Sequence, residues 1–207
     1  MAADIWPVVH AERRSLSDDL HSLSDEGWES PSLCPNWTVR DTVAHMAATA
    51  KTTPAGFFPS FIGAGFKFEN LQAKNIARER GATAAETLQH FDAVLTSTKR
   101  PPGPPATMLG ETIVHADDIR RPLGLAHQYP SDALVTIADF YKGSNLLIGT
   151  KRRIDGVSLR ATDAEWSHGA GPEVTGPMLS LVLAMTGRPA ALDDLNGAGV
   201  DVLRARA

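Results

Sequence analysis

The 207-residue sequence contains a single cysteine, Cys34. One thiol builds neither a disulfide framework nor a cysteine-rich zinc site, so any metal here has to be held by histidine and carboxylate. Cys34 itself reads as a packing residue. No apolar run approaches the ~20 residues that span a bilayer, and the start MAADIWPVVHAERR lacks the apolar core of a secretory signal. The expectation is a cytoplasmic protein with no membrane partner. Basic clusters are also scarce: Lys151, Arg152 and Arg153 form a short run that reads as a solvated linker. With a formal net charge of −4, the chain has no electrostatic footprint for nucleic acid. Repeats are missing, and the one low-complexity tract is RPPGPP at 100–105. What is present, 43% hydrophobic and 21% charged residues, is the composition of a globular protein with room for one core plus an appendage.

Residues 4–26 place Ile5, Val8, Val9, Leu16, Leu20 and Leu23 at the spacing of an amphipathic helix. ESPSLCPNW is a turn-rich connector. Thr38 with Asp41 three residues later is a capping box that opens a second helix, running to about Lys51 with Val39, Val43 and Met46 on its apolar face. The segment 53–70 mixes glycine, proline and five phenylalanines, and reads as a loop or broken helix with much apolar surface. Helical patterning covers 70–99, interrupted near Gly81 and restarted by a capping box of Thr83 and Glu86, and ends at the prolines of RPPGPP. Further helices are expected over 107–121 and over 131–149, the latter turning Leu134, Ile137, Ala138, Tyr141 and Leu146 to a core. After KRRIDG the texture changes. VSLRATD alternates like a strand, EWSHGAGPE reads as loop, 174–186 as a short helix and GVDVLRAR as a last strand. The expected fold class is mainly α: a helical bundle over 1–150 followed by a small α/β C-terminal domain over 151–207.

ETIVHADDIRR, residues 111–121, sets Glu111 and His115 four apart. On a helix these side chains share a face and can grip one ion, although a solvated surface pair has the same spacing. Of the seven histidines, His45 stands on another long helix that a bundle can bring alongside. A catalytic zinc takes three ligands of the His/His/carboxylate type and leaves a fourth position open. His45, Glu111 and His115 make up such a set; the competing reading of His45 is a hydrogen-bonded core histidine. Asp118, three residues beyond His115, is placed to accept the second ring N–H of that ligand, or to pair with Arg121. Lys74, Arg78 and Arg80 offer charge to an acidic substrate or simply to solvent.

Three stretches carry a resemblance: LCPNWTVRDTVAHMA (33–47), ETIVHADDIRRPLG (111–124) and RATDAEWSHGAGPEVTGPMLSLVLAMTGRPAALDDLNGAGVDVLRAR (160–206). In this order they resemble the mycothiol-dependent maleylpyruvate isomerase family, within the wider DinB-like metal-binding bundles. The resemblance implies a DinB-like four-helix bundle and a divalent ion, usually zinc, on His45, Glu111 and His115. It also implies mycothiol, the low-molecular-weight thiol of actinobacteria, as cosubstrate. The implied activity is thiol transfer to, or isomerisation of, a small electrophile, by a monomer or homodimer. A free thiol is mostly protonated at neutral pH, and zinc coordination removes that proton. The stretch between the two ligand segments is shorter than the resemblance leads one to expect, which argues for a substrate other than maleylpyruvate. Trp166 and His168, in the glycine-flanked loop WSHGAG, are candidates for contact with the thiol or substrate. Two alternatives stand beside the enzyme: a metal- and thiol-binding module without turnover, and a structural metal closed by a fourth side chain such as Asp118 or His168.

Overall fold

The computed structural model describes residues 4–145 and 148–206. It is mainly α, and divides into two compact units that meet between His127 and Gln128. The texture change after residue 150 had suggested a later boundary. Helix 131–141 instead packs on the apolar helix of the C-terminal unit, so it belongs with the tail.

The N-terminal unit holds α1 (Trp6–His21), α2 (Asp25–Glu29), α3 (Val39–Lys51), α4 (Pro54–Gly63), α5 (Phe68–Arg80), α6 (Ala84–Asp92) and α7 (Ala106–Arg120). Each start has a local cause. Thr38 accepts from the Asp41 N–H while the Asp41 carboxylate takes the Thr38 N–H, the reciprocal capping box read from the sequence. Thr83 likewise accepts from the Glu86 N–H, but the Glu86 carboxylate reaches the Ala82 N–H instead of closing the box. Gly81 ends α5 with a φ of 63°, a left-handed conformation that a side chain would strain. Helix α3 touches α5, α6 and α7, and α1 touches α6 and α7, so the apolar faces close one bundle core. Val9, Leu16, Leu20, Val39, Val43, Met46, Phe91, Ile113 and Ile119 fill it at 2% exposure or less. Each such side chain contributes on the order of 1.5–3 kcal/mol. The phenylalanine-rich segment is a regular helix, α4, with Pro59 inside it and no buried residue; Phe58 and Ile62 stand more than half exposed.

The C-terminal unit contains α8 (Ser131–Tyr141), α9 (Thr150–Arg153), β1 (Ser158–Ala161), β2 (Ser167–Gly169), β3 (Glu173–Gly176), α10 (Met178–Met185), a 3₁₀ turn (Pro189–Asp194) and α11 (Val200–Arg204). The expected helix 131–149 stops at Tyr141, and Leu146 lies outside the described residues. The sheet has order β2-β1-β3, with β1 antiparallel to β2 and parallel to β3. Two readings are corrected here. EWSHGAGPE is not only loop, since Leu159 pairs with His168 and β3 begins at Glu173; Gly169, at φ 86°, has no Cβ to block the approach of the Val157 carbonyl. GVDVLRAR is not a strand but contains α11, whose Val200 and Leu203 pack inward at helical spacing.

Candidate metal centre

The centre lies where α3 and α7 pack together. On α3, Val39, Val43, Met46 and Ala50 are buried, which sets His45 on the flank, partly accessible. On α7, Met108, Leu109, Ile113 and Ile119 anchor the helix in the core and turn Glu111 and His115 toward His45. Three donor atoms, one each from His45, Glu111 and His115, lie within 4.8 Å of one another. The two imidazoles meet edge to face, with centroids 5.0 Å apart at 79°. Trp37, just before the α3 cap, brings its ring centroid to 5.0 Å from that of His45 and 6.4 Å from that of His115.

Glu111 is the side chain whose needs are unmet. Both carboxylate oxygens are buried, and neither has a hydrogen-bond partner among the described residues. Burial pushes its pKa up, with the charges of His115 and Arg13 and the nearby Thr112 hydroxyl, which falls short of hydrogen-bond geometry, opposing the shift. A buried carboxylate without partners costs several kcal/mol. A divalent ion at bonds of about 2 Å to two nitrogens and one oxygen would satisfy it, and these are ligand types that zinc takes. The residues therefore fit the group that the resemblance implies.

His115 is held from its other side. Its Nδ1 lies 2.9 Å from Asp118 Oδ2 and 3.4 Å from Cys34 Sγ, and the Cys34 thiol sits 3.1 Å from the same carboxylate oxygen. A carboxylate only accepts, so Nδ1 carries a proton and Nε2 is left as the ring atom for a cation. Asp118 is fully buried, and its backbone carbonyl accepts from the Leu33 N–H at 3.0 Å, which ties the Cys34 loop to α7. Burial pulls the His115 pKa down, but Cys34 and Asp118 outweigh it and raise the group from 6.5 to about 10.

Cys34, His115 and Asp118 form a second group whose donor atoms lie within 4.8 Å of one another. Their polar atoms already satisfy each other at 2.9 to 3.4 Å. The Glu111 oxygens have no such relief, so a cation has more to offer on the His45 side of the ring. Cys34, read from the sequence as packing, is buried and also part of this clamp. Its meeting with His115 needs a loop to fold back onto a helix 81 residues later, which no local pattern encodes.

The other candidates are occupied elsewhere. Arg80 pairs with Glu29 and Asp41, Lys74 donates to the Gly63 carbonyl, and Arg78 pairs with Glu79. Arg121 donates to Asp117 at 3.0 Å. Trp166 and His168 belong to the C-terminal unit: Trp166 is buried and donates to Asp139 at 3.1 Å, while His168 sits on β2 opposite Leu159. Cys34 is the residue beside the centre whose contact with His115 sequence reasoning missed.

Fold and site together define a helical bundle with a candidate metal centre of two histidines and a glutamate. Residues 9–102 match the family model described as the mycothiol maleylpyruvate isomerase N-terminal domain. The matched stretch includes His45 and stops short of Glu111 and His115. Two crystal structures of a mycothiol-dependent maleylpyruvate isomerase, one a histidine-to-alanine variant, share the fold. Each has a TM-score of 0.66 and 16% sequence identity, covering 93% of this chain and 91% of the other. No curated protein matches the sequence.

Proposed function

We propose that the chain is a divalent-metal-dependent enzyme, with zinc on His45, Glu111 and His115, that joins a low-molecular-weight thiol to a small electrophile or uses it to isomerise one. The reading takes mycothiol as the thiol, by analogy with the family, and places the enzyme in the actinobacterial cytoplasm, where thiols stay reduced. One observation carries it: a buried carboxylate with no hydrogen-bond partner converges with two imidazoles on a single point.

When bound, the ion supplies a positive centre that deprotonates a thiol at neutral pH and leaves a position for it beside three protein ligands. The chain does the rest. Asp118 and Cys34 fix the tautomer and tilt of His115, so that Nε2 points outward from the clamp. Trp37 walls one side of the two imidazoles. The buried flank of α7 limits water around Glu111 and strengthens electrostatic interactions there.

Protein purified without chelator is expected to carry about one equivalent of zinc, lost in His45→Ala. A panel of electrophiles offered with mycothiol is expected to give conjugated or isomerised product only when metal and thiol are both present. Thiol binding without product across the panel would make the chain a binding module of the same fold. A His45→Ala protein that kept a full equivalent of zinc would contradict the site.

A further inference from the structure

Helix α4 buries none of its residues, and a cavity of about 180 Å³ lies between it, α5 and the end of α3. That is below the ~300 Å³ of a pocket for a whole small molecule, so the space suits one end group of a ligand. Lys51 and Arg78 line it, and among the described residues no acidic side chain does. Glu79, outside the lining and at 4% exposure, holds both cations: Lys51 Nζ is 2.5 Å from Oε2 and Arg78 Nε is 3.0 Å from Oε1. One cation balances that carboxylate, so the second is a positive unit in excess. The bonds to Glu79 fix the two heads without using them up. Arg78 spends only Nε there, and its Nη1 and Nη2 have no partner among the described residues. Asn75, three residues earlier on the same face of α5, is half-buried against the cavity, and its carboxamide makes no hydrogen bond among the described residues.

We propose that this cavity binds a small oxyanion, the carboxylate or phosphate end of a ligand, with Arg78 and Asn75 donating hydrogen bonds to it and Lys51 as the second cation. A guanidinium offers paired N–H donors that match the spacing of carboxylate and phosphate oxygens. Because Glu79 already holds the cationic heads, little side-chain freedom is lost when an anion arrives. Phe57 and Leu71, also in the lining, give apolar contact to the carbon atoms next to the charged group. Lys51 is six residues from His45 on α3, about 9 Å along the helix axis, so this is a point of attachment separate from the metal centre. The proposal does not depend on the metal reading.

The test titrates the full chain, labelled with ¹⁵N, with acetate and separately with inorganic phosphate at constant ionic strength. Saturable NMR shifts of the Gly56 backbone amide and the Asn75 side-chain amide are expected, with a Kd of about 10 mM or tighter. Arg78→Gln is expected to weaken binding about tenfold or more and Asn75→Leu about three- to tenfold. Lys74→Gln removes a neighbouring cation that caps the Gly63 carbonyl outside the cavity, and is expected to change binding less than about twofold. Binding of either anion with these variant effects supports the proposal, and the tighter of the two identifies the end group as carboxylate or phosphate. No saturable shift with either anion up to about 100 mM would overturn it. So would a loss in Lys74→Gln equal to that in Arg78→Gln, because general surface charge would then account for the binding. Shifts confined to the surroundings of His45 and Glu111 would put the anion on the metal centre and overturn it as well. Anion binding here in a protein that takes up no zinc sinks the metal reading alone; zinc uptake with no shift at Gly56 and Asn75 sinks this proposal alone.

Discussion

Helix α10 of the C-terminal unit and α7 of the N-terminal unit are both buried along most of their length, yet only one of them is apolar. In α10, Met178, Leu181, Val182, Leu183, Ala184 and Met185 are at 3% exposure or less, and the single buried polar group, Ser180, donates to Asp194 at 2.7 Å. Helix α7 buries Thr112, Asp117, Asp118 and Arg120 and half-buries Glu111 and His115. Most of those charges are answered. Arg120 donates to Asp19 at 2.7 Å and Ser15 at 2.9 Å, Asp117 accepts from Arg121, and Asp118 accepts from Cys34 and His115. Glu111 is the exception. A helix that only had to hold a core together would have the composition of α10. The cost left standing on α7 is the observation on which the proposed metal site rests.

The contrast can be broken from either side. Leu181→Ala in α10 removes buried methyl groups and leaves a cavity. It is expected to cost about 2–5 kcal/mol of unfolding free energy in urea titrations, with metal affinity unchanged. A metal affinity that fell with it would mean the two helices are not separable in function. On α7, Asp118→Asn weakens the clamp on His115 and is expected to lower metal affinity about 10- to 100-fold, measured by chelator competition, with little change in the unfolding midpoint of the metal-free protein.

The pH dependence sharpens the comparison further. A cation on Nε2 has to displace a proton from His115, whose pKa in the metal-free protein is raised to about 10. Metal affinity is therefore expected to rise with pH through the neutral range, by up to about tenfold per unit for one proton released. Calorimetry in buffers of different ionisation enthalpy counts that proton. Stability of the metal-free protein runs the opposite way. A folded pKa raised above 6.5 favours the fold fully below that value, and the advantage is lost as pH climbs toward 10. The unfolding midpoint without metal should drop across that window, and metal should reverse the drop.

The bundle was legible because its helices carry their own punctuation, such as the Thr38–Asp41 box and the break at Gly81. The pairing of Glu111 with His115 was legible because four residues is one helical turn. His45 was harder, since nothing local says which helix it will face, and there the family resemblance supplied what spacing does not. The tail was read less well: β2 is three residues long in a glycine-rich stretch, and α11 is five residues whose apolar positions serve strand and helix alike. Cys34 was invisible as a site residue because its importance arises from packing between distant segments, the 33–37 loop on α7. Lys74, Arg78 and Arg80, open in sequence to an acidic substrate or to solvent, are cations that the fold pairs or caps.

Two groups of donors share His115, one with His45 and Glu111, the other with Cys34 and Asp118. X-ray absorption at the zinc edge of the loaded, thiol-free protein separates them, because zinc–sulfur bonds of about 2.3 Å stand apart from zinc–nitrogen and zinc–oxygen bonds of about 2.0–2.2 Å. A first shell of nitrogen and oxygen alone, with the outer-shell signature of two imidazoles, is the predicted result. A sulfur scatterer in that shell would put the ion on Cys34 and contradict the centre described here.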